Sequence, residues 1–153
     1  VAEREKQSPA YALFVGWLEG YVTHFNKVTT DTTDVFAWQT TELATFLLNN
    51  YCKANPKTRF DVAVETMVKS LYPTRLRNVS EVVDVPGSQP PLQVYKDVVR
   101  RIQQTLTERG FYKGSIDGDY GPATVKAMKA FQVSEKRDPT GLPDQVSLLL
   151  LFQ

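Results

Sequence analysis

Apolar residues recur at steps of three and four along most of this chain, and proline, glycine and capping residues punctuate them, a pattern of amphipathic helices rather than strands. Ser8-Pro9 offers a capping hydroxyl and then proline at the first helical position. Phe14, Trp17, Leu18, Tyr21 and Phe25 follow as one apolar face. Gly16 and Gly20 lie four apart on this helix, a spacing that predicts the close approach of another helix backbone. A second helix is predicted from about Val35 to Lys53, with Leu43, Phe46, Leu47 and Tyr51 inward, broken at Asn55-Pro56. A third, capped by Thr58 and ended by Pro73, carries Phe60, Ala63, Val64, Met67, Val68 and Leu71. Three helices with short connections predict a small bundle.

The last third has its own rhythm. Val94, Val98, Ile102 and Leu106 mark a helix stopped by Gly110, a second helix starts at Pro122, and Pro143 or Asp144 opens a third through the run VSLLLLF. Gln103 followed by Gly110, and Gln132 followed by Gly141, form an internal echo of helix, glutamine and glycine turn. Between the halves, VVDVPGSQPP at residues 82–91 holds Pro86, Pro90 and Pro91, so this tract is predicted to be extended. The expected organisation is all-α: a helical domain at 1–78, a proline-rich linker at 79–92 and a three-helix domain at 93–153.

Composition narrows the function. Hydrophobic content of 42% with 23% charged residues is globular. The net charge of +1, spread over both halves, excludes a polyanion binder and hence nucleic acid as partner. No apolar run is long enough to span a membrane. The polar opening tract VAEREKQSP does not read as a signal peptide, and a mature or trimmed chain would begin this way. A single cysteine, Cys52, and a single histidine, His24, argue against a disulfide framework, a metal site and histidine-based catalysis, so no cofactor or metal is expected.

The segment SIDGDYGPATVKAMKAFQ, residues 115–132, carries the densest chemistry. Asp117-Gly118 is a turn signal, because the carboxylate can accept from nearby backbone N–H groups and glycine takes positive φ freely. Gly121-Pro122 enters a helix whose inner face is Val125, Met128 and Phe131, and the Gln132 amide can tie a loop backbone in place. In order, Gln103 and Leu106, Gly110, Asp117-Gly118, Gly121 and Thr124, Phe131-Gln132, and Thr140-Gly141 resemble the peptidoglycan-binding domain of bacterial wall hydrolases and other envelope proteins. The loop at Lys136, Arg137 and Asp138 departs from the short apolar step usual there. The resemblance implies a three-helix wall-binding fold without chemistry of its own. Tyr112, Asp117, Asp119, Tyr120 and Thr124 cluster around the turn as candidate contacts to the polymer, which needs an aromatic platform and fixed polar groups. For Asp117, Gly118 and Phe131 a structural role is favoured; for Asp119 and Tyr120 both readings stand.

The first half more loosely resembles small helical periplasmic proteins, the acid-stress chaperones of the HdeA type and toxin-immunity proteins, through Gly20-Tyr21, Cys52, Asn55-Pro56 and Ala63-Val64. Such families pair that cysteine with one near the first helix, which this chain lacks. The expectation is a non-catalytic periplasmic protein that binds peptidoglycan through 93–153 and presents 1–78 to an envelope protein partner. The alternative is a muramidase, which needs only carboxylates, with Glu19 in GWLEGY as its candidate acid.

Overall fold

A computed structural model describes residues 8–153; the opening polar tract VAEREKQ lies outside the described residues. The chain is mostly helical and divides into two compact units, Val1–Val79 and Ser80–Gln153. The first unit contains α1 (Pro9–Val28), α2 (Thr41–Ala54) and α3 (Phe60–Leu71), followed by a short 3-10 turn, Tyr72–Thr74. The Ser8 hydroxyl accepts from the Tyr11 N–H, and Thr40 caps α2 in the same way through the Leu43 N–H. Both capping side chains satisfy an N–H that has no partner inside the helix. Thr58, the predicted cap of α3, is not at the cap position; Arg59 is.

The core of this unit is Leu18, Val22, Val35, Ala44, Leu48, Ala63, Val64 and Val68. The inner face of α1 is therefore rotated from the predicted one. Leu18 and Val22 are buried, Tyr21 and Phe25 are half-buried, and Phe14 and Trp17 are exposed. On α2, Leu43, Ala44 and Leu48 point inward, whereas Phe46 and Tyr51 are exposed. The stripes were wide enough to permit either rotation, and packing chose between them. Among the described residues nothing lies within 4 Å of a Cβ built on Gly16 or Gly20, so none of the described helices makes the approach predicted from their spacing. Residues 35–40, predicted as the start of α2, are instead an irregular loop. Asn26 and Asp34 hold it: Asn26 Nδ2 donates to Asp34 Oδ1 (3.1 Å), and the Val35 and Phe36 N–H groups donate to Asn26 Oδ1 and Asp34 Oδ1. Paired backbone bonds between Asp34 and Leu76 then pin the end of the unit to the same loop.

The second unit begins with an antiparallel hairpin, β1 (Val82–Val85) and β2 (Leu92–Tyr95), with Val82 opposite Tyr95 and Val85 opposite Leu92. The tract expected to be a linker is thus an ordered part of this unit. Valine-rich segments suit a pleated strand, and Pro86-Gly87 occupies the central positions of a turn, with Gly87 at φ +79° and the Ser88 N–H reaching Val85 O. Buried Ser88 closes the loop by donating to Val85 O (2.9 Å) and accepting from the Leu92 N–H (2.8 Å). Val94, predicted on a helix, lies in β2. Then come α4 (Lys96–Glu108), α5 (Pro122–Ser134) and α6 (Gln145–Leu151) around a core of Val98, Val99, Ile102, Leu106, Met128, Phe131, Leu148 and Leu151.

Candidate functional site

Two buried glutamines organise the loops that link the helices of the second unit. Gln103 on α4 is fully buried. Its Oε1 accepts from the Gly118 N–H (2.9 Å), and its Nε2 points at Asp117 Oδ1 (2.8 Å), Asp119 O (3.0 Å), Thr124 Oγ1 (3.1 Å) and the Tyr112 hydroxyl (3.3 Å). Gln132 on α5 repeats the device. Its Oε1 accepts from the Gly141 N–H (2.8 Å), and its Nε2 faces Leu142 O, Ser147 Oγ, Thr140 Oγ1 and Asp144 Oδ2. An amide can do this because it carries an acceptor and two donors on one rigid plane.

The echo seen in the sequence is therefore real in kind but differently paired: Gln103 holds Gly118, not Gly110. Both clamped glycines are left-handed, at φ +82° and +75°. Each clamped turn then feeds a helix, α5 after Gly121 and α6 after Asp144. Gly110 has a separate task. It sits just past α4 at φ +82°, and the Phe111 N–H reaches back to Leu106 O (2.8 Å). The same closing motif ends α5, with Lys136 at φ +56° and the Arg137 N–H on Gln132 O (2.8 Å). The charged loop that departs from the motif thus forms the end of that helix.

Of the predicted ligand contacts, three turn inward. Tyr112, Tyr120 and Thr124 are buried, so none presents a ring or hydroxyl as a platform. Tyr112 donates to Ser115 O (2.8 Å), and Thr124 donates to Asp119 O (3.2 Å). Tyr120 donates to Gly141 O (3.0 Å), which ties the first clamped turn to the second. Burial first, and the Asp144 charge second, push the Tyr120 phenol well above its ordinary value, so it remains a donor. Ring and hydroxyl serve the fold here, because so small a unit has little other material with which to join its loops.

Asp117 and Asp119 are exposed. The Gln103 amide, and after it the Asp119 N–H, hold the Asp117 carboxyl below its ordinary value. Asp119 keeps its side chain toward solvent, with Lys96 Nζ 3.5 Å away; Lys96 also lies 3.8 Å from Glu81 Oε2. Exposed Ile116 adds an apolar contact to the same turn. The surface offered here is thus an acid, a base, an apolar side chain and loop backbone, suited to a polar polymer bearing both amides and charges. Lys96 and Ile116 were missed by sequence reasoning. The available signal for Lys96 was its seven-residue separation from Gln103, which places both on one stripe of α4. Among the described residues, no group of three His, Cys, Asp or Glu side chains could hold a metal, and no helix is long and apolar enough to cross a membrane.

Residues 96–148 match the family described as a putative peptidoglycan binding domain. The match supports a peptidoglycan-binding domain within the second unit, and with it an association with the cell wall or envelope. The match begins at the first residue of α4 and leaves the hairpin and the whole first unit outside it. No curated protein and no solved structure matches the chain. The resemblance of the first unit to HdeA-type chaperones or immunity proteins has no support from these comparisons.

Proposed function

We propose that this is a non-catalytic protein of the bacterial periplasm that holds peptidoglycan through its second unit and presents its first unit to a protein partner. The observation that carries the reading is the surface of the first unit, where Leu13, Phe14 and Trp17 of α1 border Phe60 in an open groove of about 760 Å³. A contiguous exposed apolar patch marks an interaction surface. The groove does contain one carboxylate, Asp61, but it favours binding over hydrolysis. Arg59 grips Asp61 through two bonds (2.8 and 3.1 Å), and this contact lowers the Asp61 pKa. A glycosidase acid needs the opposite shift, to stay protonated near neutral pH. Glu19, the candidate acid of the muramidase reading, is exposed on α1 and is not among the residues lining that groove.

Purified sacculi test both parts. The full chain should co-sediment with them, with affinity on the order of micromolar or weaker for one small module on a polar polymer. It should release no soluble muropeptides. Release of fragments that Glu19→Gln abolishes would establish the muramidase instead.

A further inference from the structure

We propose that the turn around Gly118 takes hold of the peptide stems of peptidoglycan rather than its glycan strands, and seats the free ammonium of a stem's diamino acid between Asp119 and Glu81. The inference rests on reading the second unit as the wall-binding one, and it names the part of the polymer that is held.

A sugar ring turns C–H groups to its faces, and a site for it sets an aromatic side chain against such a face. No aromatic ring of the second unit is exposed. Both tryptophans belong to the first unit. In the second, Tyr112, Tyr120 and Phe131 are buried, and Tyr95, Phe111 and Phe152 are half-buried. Phe111 packs edge-on against Phe131, and the Arg101 guanidinium lies 4.2 Å from the centre of the Phe152 ring. The large apolar side chains that this unit does expose are aliphatic, Ile116 at the turn among them.

The turn offers fixed charge instead. Asp119 is held on both sides of its backbone: its N–H donates to Asp117 Oδ1 (2.9 Å), and its carbonyl accepts from the Gln103 amide (3.0 Å) and the Thr124 hydroxyl (3.2 Å). Its carboxylate stays at the surface. Lys96 is fixed by its stem, which lies so close over Gly118 that a Cβ there would stand 2.6 Å from Lys96 Cγ. Its Nζ is 3.5 Å from Asp119 Oδ1 and 3.8 Å from Glu81 Oε2, beyond the about 2.8 Å of a closed charge-assisted bond. Both carboxylates therefore keep room for a second cation. Arg100, the other basic residue over Gly118, is engaged by Asp97 (2.6 Å). Glu81, Asp117 and Asp119 thus face the Lys96 ammonium alone, and negative charge is in surplus.

In the intact wall the glycan strand is uncharged where amide bonds to the stems take up its carboxyl groups. A stem carries carboxylates, amides and, where its diamino acid is not cross-linked, a free ammonium. The surplus favours that ammonium at Asp119 and Glu81, a stem carboxylate matches Lys96, and Ile116 meets an aliphatic side chain. Groups already held in place lose little freedom on binding. Glu81 precedes β1 and lies outside the matched residues 96–148, so the hairpin segment contributes directly to the site.

Muropeptides released from sacculi present the amine of the diamino acid, and N-acetylation blocks it while sugar and peptide remain. Free-amine muropeptides should displace the full chain from intact sacculi. Their N-acetylated forms should compete about three- to tenfold less well, the usual size of one exposed charged contact, and peptide-free glycan strands should not compete. Asp119→Asn and Glu81→Gln should each weaken retention over a similar range at an unchanged melting temperature, because each side chain touches the fold only through Lys96. Displacement by glycan strands, equal competition by free and acetylated muropeptides, or full retention of both variants overturns this inference and leaves the wall-binding reading standing. A wild-type chain that sacculi do not retain at all overturns that reading and this inference with it.

Discussion

At the scale of single residues, three left-handed positions separate conformational strain from crowding. Gly118, at φ +82°, has no room for a side chain: a Cβ would stand 2.6 Å from Lys96 Cγ and 3.0 Å from the Lys96 carbonyl oxygen. Gly110 has the same φ, but nothing lies within 4 Å of its Cβ. Gly118→Ala should therefore cost about 2–4 kcal/mol, strain plus overpacking, and Gly110→Ala about 1 kcal/mol, strain alone. Thermal melting of the two variants checks the order. Lys136 is the converse case, a bulky residue in the helix-terminating position that glycine usually fills. Lys136→Gly should stabilise the second unit by about 0.5–1 kcal/mol, raising its melting transition by roughly 2–8 °C. A lower melting temperature would show that the lysine side chain contributes more than its backbone strain costs.

At the scale of elements, the clamped turn between α4 and α5 depends on an ionised Asp117, because its Oδ1 accepts from both Gln103 Nε2 and the Asp119 N–H. Its pKa is lower in the folded chain than the ordinary 3.8. The unfolded state therefore takes up the proton first as pH falls. The stabilisation is fully present above the ordinary value and drains away as pH drops through the lower folded one. Asp117→Asn should flatten the acid limb of stability measured by urea unfolding below about pH 4, while the limb near neutrality keeps its shape. An unchanged acid limb would place the pH dependence on other carboxylates. The element scale also explains the misread linker. Proline content points to extended backbone, and β-strand is extended backbone; what the local pattern lacks is the partner strand and the buried Ser88 that turn one into the other.

At the scale of the whole molecule, the change of unit falls between Val79 and Ser80, upstream of the proline tract. Arg77 and Asn78 are exposed, and Val79 is 90% exposed. Just beyond, the Asp97 N–H donates to Ser80 Oγ and the Lys96 N–H to Glu81 O (2.7 Å). Limited trypsin digestion should therefore cut first after Arg77 and leave a fragment from Asn78 that keeps the hairpin, folds and co-sediments with sacculi. A first cut after Lys96, at the far end of the hairpin, would mean the hairpin adds nothing to the second unit.

The sequence by itself determined the helical character of both units, the starts of α1, α5 and α6, and the wall-binding motif, because caps, proline, left-handed glycines and helical periodicity act over a few residues. Only the tertiary structure decided which way α1 and α2 turn, that Gln103 clamps Gly118 rather than Gly110, and that Tyr112, Tyr120 and Thr124 face inward. Those outcomes depend on which distant group fills a given space. A tyrosine beside a turn looks the same in the sequence whether its hydroxyl meets a glycan or the carbonyl of Gly141, twenty-one residues away, and only the packed chain distinguishes them.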